Sequence, residues 1–516
     1  MSASQSKIIT KLRERREIEA DLRDLLAASS EVEFRRRAQR IASLGAPVIQ
    51  ALVDGLDRAD TRMLTVLGTV ATFLDREQVT QALRQAALQP GRSDRGRLGA
   101  LTILEHFLGE PPDDTLLESL HDPEGVALAS LEEVLVQADA NSATLVEYVQ
   151  GLDRQEPDVV LAVVRALRDI GEPGIVEPLR MMAQDVRGEI AAAAVDVLAG
   201  LRLPEAARAL QSLVPIVHPE LREPAERALR KLRFAGVEVR DLPDPDPAWR
   251  ALVSPVDGLG QQSIWFVQEG RWGAHVRVFN VLLNDRAGAV EAIGHRRVSP
   301  RALPPQRLLG YVHDIVLPDG SGVMLALETT FDVGRRLVLD SLAYNRETQI
   351  PVAGALRLLS PWLWEVAGAE ALPPRVLPDL PEDVEAALAG TDRLLDHPAF
   401  ASWSARSEAT FQAAQEALRH PGWDREVWVR RLAGELLADP LVAEVLGRRL
   451  LAMSEWLLLA REETWSRLAL VAALVFEGAP LSKHPFVQVL VRRDLDQAVR
   501  SLKQQAGPSL GVEQFE

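Results

Sequence analysis

Two adjoining stretches decide how the first half of the chain folds: VVRALRDIGEPGIVEPLRMMAQD (163–185) and AAVDVLAGLRLPEAARALQSLV (193–214). In each, apolar residues recur at i, i+3 and i+4, the spacing that lines one face of a helix. The helix closes on Ile170-Gly171 or Leu201-Arg202, a short turn follows, and a second apolar-faced helix begins. Pro204 falls in the first turn of its helix, where a missing N–H removes no hydrogen bond. A lone pair of such helices cannot bury its apolar faces, but stacked pairs can.

The pattern repeats in both directions. Apolar helices end at Leu44, Leu74, Leu108, Ala138, Ile170, Leu201 and Leu232, at spacings of 30 to 34 residues. Four residues before these ends, from the second onward, stand Val70, Leu104, Val134, Ala166, Val197 and Ala228. Eight or nine residues after them, up to the sixth, stand Leu52, Leu83, Leu117, Val146, Leu179 and Leu210. A fixed period of this kind marks a repeat architecture. The array resembles the HEAT-repeat superfamily, in the short form known from phycobilisome-lyase-type repeats, over about residues 31–235. The resemblance implies a curved right-handed α-solenoid of about seven helix pairs whose second helices line a concave, partner-binding surface. Arg40 and Glu105 break apolar columns, and the unit at 126–152 matches least. Residues 7–28 (Ile8, Leu12, Ile18, Leu22, Leu25, Leu26) read as an amphipathic helix that caps the open end, so 1–30 is assigned as a cap and 31–242 as the array.

Enzymatic branches of the superfamily can be tested residue by residue. The iron-dependent hydroxylase branch places His-Glu pairs on its helices; this chain has no His-Glu dipeptide, and the array holds only His106, His121 and His218. A tetrapyrrole lyase needs aromatic stacking residues, which here are sparse: Phe34, Phe73, Phe107, Tyr148 and Phe234. No cofactor is expected.

Charge narrows the partners. The 516 residues carry 58 Lys and Arg against 74 Asp and Glu, a formal charge of -16 that opposes bulk attraction to nucleic acid or anionic membrane. Between Arg97 and Arg154 there are twelve acids and no Lys or Arg. On the array this acidic stretch reads as a surface for a basic segment of another protein, with Glu110, Asp113, Asp114, Glu118, Asp122 and Glu147 as candidate contacts. The competing reading is a solvated acidic face. With no cysteine, disulfides, thiolate nucleophiles and Cys-ligated metals are excluded. The charged N-terminal segment does not read as a signal peptide, and no apolar run reaches membrane-spanning length, so the expectation is a cytoplasmic chain without a membrane segment.

Tryptophan divides the rest. All ten lie between Trp249 and Trp465, and proline-rich runs flank the change, at DLPDPDP and LPPRVLPDLP. These read as linkers at 243–250 and 372–381, separating the array from an α+β domain (251–371) and a helical domain (382–516). Each region is net acidic on average, so no basic domain is expected. The fold class is therefore mainly α: an N-terminal HEAT-like solenoid, a middle antiparallel-sheet domain and a C-terminal helical bundle.

In the middle region, QSIWFVQ and AHVRVFNVLL alternate as strands of a hairpin, DRAGAVEAIG reads as a short helix, and YVHDIVL with VMLALETT flank a Pro-Asp-Gly turn. DVGRRLVLDSLAYNRET reads as a helix, giving one sheet with helices on one face. Its candidate chemistry is a metal or acid–base cluster drawn from His275, His295 and His313 with Asp285, Asp314 and Glu328, His275, His313 and Asp314 foremost, since catalysis often uses a histidine oriented by a carboxylate. No metal-ligand spacing, phosphate loop or nucleophile elbow accompanies them. Past 381, apolar residues at helical spacing recur through 502, Asp439-Pro440 reads as a helix start, and the tryptophans read as core or interface anchors. The function this points to is an interaction scaffold that binds another protein through the array, with an enzyme or small-ligand binder centred on the middle region, or a self-associating subunit, as alternatives.

Overall fold

The computed structural model describes residues 17–27, 31–59, 61–89, 91–110, 134–135, 142–170, 173–269, 275–316, 322–404, 408–420, 422–476 and 483–505. The chain is mostly helical and carries one six-stranded antiparallel sheet. It forms two compact units, one from the spans 1–148 and 156–175, the other from 149–155 and 176–516. The division falls inside the helical array, and both proline runs lie within the second unit.

In the first unit, helices α1 (Glu31–Ala42), α2 (Ala46–Gly55), α3 (Thr61–Ala71), α4 (Arg76–Leu88) and α5 (Asp94–Thr102) bury one shared apolar cluster. Several residues of the apolar columns lie at its centre, with Leu52, Val70 and Leu83 fully buried and Leu104 nearly so, whereas Leu44, the first of the expected helix ends, is exposed. Ile18, Leu22 and Leu25 join that cluster from the N-terminal side. Asp75 and Ser93 cap α4 and α5 by accepting from Gln78 N and Gly96 N. Glu105, which broke the pattern, sits in a π-helical turn at Ile103–Phe107 that continues α5. Such a turn takes up one extra residue and re-aims the apolar face. The series continues with α6 (Ser142–Leu152) and α7 (Pro157–Ile170).

The second unit opens with α8 (Val176–Met182), α9 (Gly188–Gly200), α10 (Pro204–Leu213) and α11 (Pro219–Phe234), each packed on its next and next-but-one neighbour. The sheet follows as β1 (Trp249–Val253), β2 (Gln261–Glu269), β3 (Val276–Asn284), β4 (Gly288–Val298), β5 (Val312–Val316) and β6 (Val323–Thr330), in the order β4-β3-β2-β1-β6-β5. Both expected hairpins form, β2 with β3 and β5 with β6. Two expectations need correction. Trp249 and Arg250 belong to β1 rather than to a linker at 243–250.

The other correction concerns DRAGAVEAIG, which is strand β4 and not a helix. The register slips between Leu282↔Glu291 and Leu283↔Ala289, leaving Val290 as a bulge. Ala289 and Ala292 are thus both buried at a spacing of three, which imitates a helical face in the sequence.

Helix α12 (Phe331–Thr348) crosses one face of the sheet, where Phe331 meets Trp249 at 5.2 Å and Phe266 at 5.6 Å between ring centroids. On the other face Leu303, from the segment between β4 and β5, packs against a core of Leu252, Val267, Val276, Val278 and Ala326. After α12 come α13 (Gly354–Leu359) and α14 (Pro361–Trp364). Helix α8 is clasped to this corner through Arg180, whose guanidinium donates to Arg357 O at 2.9 Å, Ser360 Oγ at 2.5 Å and Leu358 O at 2.8 Å.

The C-terminal helices are α15 (Val384–Ala389), α16 (Glu408–Arg419), α17 (Arg425–Leu436), α18 (Pro440–Leu459), α19 (Glu463–Val475) and α20 (Pro485–Gln505). Asp439 caps α18 and Pro440 begins it, as its sequence requires. Two of the late tryptophans tie these helices to the residues at and just after the end of β1: Trp456 Nε1 donates to Val253 O and Trp403 Nε1 to Val256 O, both at 2.9 Å. Among the described residues no helix is long and apolar enough to cross a membrane.

Candidate functional site

The sheet does not gather the sequence-nominated trio. His275, exposed, immediately precedes β3, while His313 and Asp314 are on β5, separated from β3 in the sheet by β2, β1 and β6. Asp314 is exposed and His313 buried, as adjacent strand residues on opposite faces must be. His313 instead meets Glu328 of β6. Its Nε2 lies 2.8 Å from Glu328 Oε2, and Arg250 Nη1 donates to both oxygens of the same carboxylate at 3.1 and 2.9 Å. Arg250 Nη2 also donates to Pro304 O at 2.6 Å. Arg250, His313 and Glu328 are 4, 6 and 1 % exposed, so the carboxylate is enclosed and its charge already matched. This is a buried ion pair with a histidine attached, and its geometry is that of a structural cross-link between β1, β5 and β6. Among the described residues no three His, Asp or Glu side chains come together as metal ligands.

The acidic candidates fare differently from one another. Glu110 faces Arg84 at 2.9 Å and Arg76 at 3.4 Å, so its charge is matched within the chain. Glu147 is exposed on α6. Asp113, Asp114, Glu118 and Asp122 lie outside the described residues.

What the sheet does bring together is positive charge and an aromatic ring. Arg277 on β3 and Arg296 on β4 both lie over Trp362 of α14, with their guanidinium carbons 5.9 and 5.8 Å from the ring centroid. Phe279 supports the ring from the sheet at 5.9 Å. The approach depends on Gly294: a Cβ there would stand 2.9 Å from Leu359 Cδ1 and 3.6 Å from the Trp362 ring. Arg297, His295 and His275 are exposed on the same two strands or at their start. None of Arg277, Arg296 and Arg297 has an ion pair with a described residue, in a chain whose acids outnumber its bases. Guanidinium on an indole face is favourable and leaves the N–H donors free at the rim. Strand β4 is also a sheet edge, with Val290 and Ile293 exposed along it.

The sequence held half of this signal. Residues 270–311 contain seven arginines and two acids, and one of those acids, Asp285, is held by Arg449 at 2.7 and 3.2 Å. Averaging charge over the whole middle region hid the run. The meeting with Trp362 depends on the β3–β4 register and the placement of α14, which no local window shows. Comparison with protein-family models, curated proteins and solved structures gives no match for this chain.

Proposed function

We propose that the chain is an interaction scaffold: HEAT-like helix pairs stacked as a solenoid over about residues 31–235, a C-terminal helical bundle, and between them a sheet that presents Arg277, Arg296, Arg297 and Trp362 to an acidic segment of a partner protein. The reading rests on a single observation, the pair of guanidiniums over Trp362 with no acidic partner among the described residues. Support for the solenoid comes from the largely buried apolar columns and from helix packing, on next and next-but-one neighbours in the second unit and chiefly on next-but-one neighbours in the first. A polyanion such as DNA is disfavoured, because the patch is confined to the ends of two strands while the whole chain carries -16. A short acidic peptide meets the arginines without importing a long run of negative charge, and an apolar residue beside its carboxylates covers Trp362. The place of action in this reading is the cytoplasm.

The test is fluorescence anisotropy of the full chain against three labelled probes: an alternating Glu-Phe peptide, its Lys-Phe counterpart, and a thymidine oligonucleotide. The Glu-Phe peptide should bind best, more weakly as salt rises, and the R277E/R296E variant should lose about tenfold or more, the scale of two charge contacts. Equal binding to the reversed-charge variant, or preference for either of the other probes, removes this reading.

A further inference from the structure

The register between β3 and β4 slips a second time, at the end away from their turn. Val276 is opposite Val298 and Val278 is opposite His295, so Arg277 alone faces two residues, Arg296 and Arg297. This is a β-bulge, one extra residue in β4. Strict alternation sends adjacent residues to opposite faces and would part the two arginines. A bulge instead sets both opposite one residue and re-aims their side chains. Arg277 and Arg296 lie over Trp362 on the α12 face, while Val276, Val278 and Val298 turn to the apolar cluster on the other.

Like charges gathered at one register position are costly. Directly opposed residues on one face have Cβ atoms about 5 Å apart, and like charges there destabilise the pair. The acids of the neighbouring elements give no relief. Glu269, Asp285 and Glu365 pair with Arg250, Arg449 and Arg208. Glu291 is opposite Leu282, which alternation places on the face away from Trp362. Gln268, opposite Arg277 on β2, is neutral and its amide donates to Asp246.

The charge of this cluster exceeds what a carboxylate supplies. A carboxylate brings one negative charge and two oxygens, leaving most of the positive charge unmatched. A phosphate monoester brings nearly two charges and three strong acceptor oxygens, which suit the forked donors of guanidinium. Clustered arginines recognise phosphorylated segments by this chemistry. We infer that the acidic partner segment is anchored by a phosphorylated side chain, seated at the bulge among Arg277, Arg296 and Arg297 beside the Trp362 ring. This rests on the acidic-segment reading above and names its anchoring group.

The probes are the labelled Glu-Phe peptide and two versions of it in which one central Glu is replaced by phosphoserine or by serine, each titrated into the full chain by fluorescence anisotropy. The phosphoserine peptide should bind about tenfold or more tighter than the Glu-Phe peptide, the scale of one added charge-assisted hydrogen bond, and the serine peptide should bind weakest. Arg297→Gln removes the charge that the bulge adds and should weaken the phosphoserine peptide about fivefold or more and the Glu-Phe peptide about twofold or less. Arg286→Gln, exposed in the turn at the far end of β3 and β4, removes the same charge from the chain and should change neither. Each variant is accepted only if its circular-dichroism melt matches the parent's. A phosphoserine peptide bound no tighter than the Glu-Phe peptide overturns the anchor and leaves the acidic-segment reading standing, whereas loss of binding to all three removes both. An effect of Arg297→Gln equal to that of Arg286→Gln overturns the seat at the bulge. Inorganic phosphate or a thymidine oligonucleotide binding as tightly as the phosphoserine peptide overturns the protein source of the phosphate.

Discussion

Removing the charge of Glu328 while keeping its shape, by Glu328→Gln, should loosen β1 and β6 more than any other single isosteric change in the sheet. Glu328 is 1 % and Arg250 4 % exposed, and the guanidinium reaches both carboxylate oxygens. The amide leaves Arg250 buried without a counter-charge, a loss of about 3–5 kcal/mol when one partner of a buried pair goes. Arg250→Met together with Glu328→Gln removes both charges and keeps an acceptor for His313 Nε2. The double variant should recover most of the loss, because two buried charges are cheaper to delete together than singly. With two compact units a single unfolding free energy is poorly defined, so the assay is native-state hydrogen exchange on peptides covering 249–253 and 323–330. The single variant should exchange roughly 10²- to 10⁴-fold faster at these amides. Acceleration under about tenfold, or a double variant as fast as Glu328→Gln, would refute the argument that charge pairing rather than apolar packing joins these strands.

Three further outcomes are expected. Gly288 has φ +72 and an added Cβ would stand 2.1 Å from Asn345 Oδ1, which accepts from Ala289 N at 2.8 Å; Gly288→Ala should lower the melting temperature of the second unit, and Asn345→Gly added to it should restore little, since the backbone strain persists. Burial holds the His484 imidazole below its ordinary range, against the opposing hydrogen bond of Nε2 to Ala472 O. The folded state therefore binds fewer protons there than the unfolded, so this stability is present above about pH 6.5 and lost as pH falls below it. Melting temperature measured from pH 8 to 5 should fall less steeply in His484→Gln; an identical slope would remove the effect. Burial likewise pushes the Tyr148 phenol up to about 12. Its unfolded form ionises first as pH rises past about 10, so the folded state loses stability from there upward. Tyrosinate absorbance at 295 nm should show a late-titrating step from Tyr148, and Tyr148→Phe should abolish it.

Much of the helical part was legible because helix burial is a neighbour property. Leu52, Leu83, Leu179 and Leu210 were picked from period alone and are fully buried. Asp439-Pro440 was legible as a helix start from the need to satisfy free N–H groups there, a need that Asp75 and Ser93, not singled out in the sequence, meet at α4 and α5. Alternation was equally informative in β2 and β3 and failed at β4, where the bulge at Val290 turned a two-residue period into a three-residue one. The histidines were misleading for a related reason. A sequence shows that His313 is polar among apolar residues, but not that Glu328 and Arg250 already enclose it.

By itself, then, the sequence determined most of the residues that turn inward along the helices and along β2 and β3, though not along β4 or at Leu44 and Leu26, and how charge is spent along the chain. Only the tertiary structure decided that Arg277 and Arg296 share Trp362, and that Arg296 and Arg297 together oppose Arg277. Periodicity is written between residues three or four apart, whereas these meetings join residues far apart in the chain, set by strand register and helix packing.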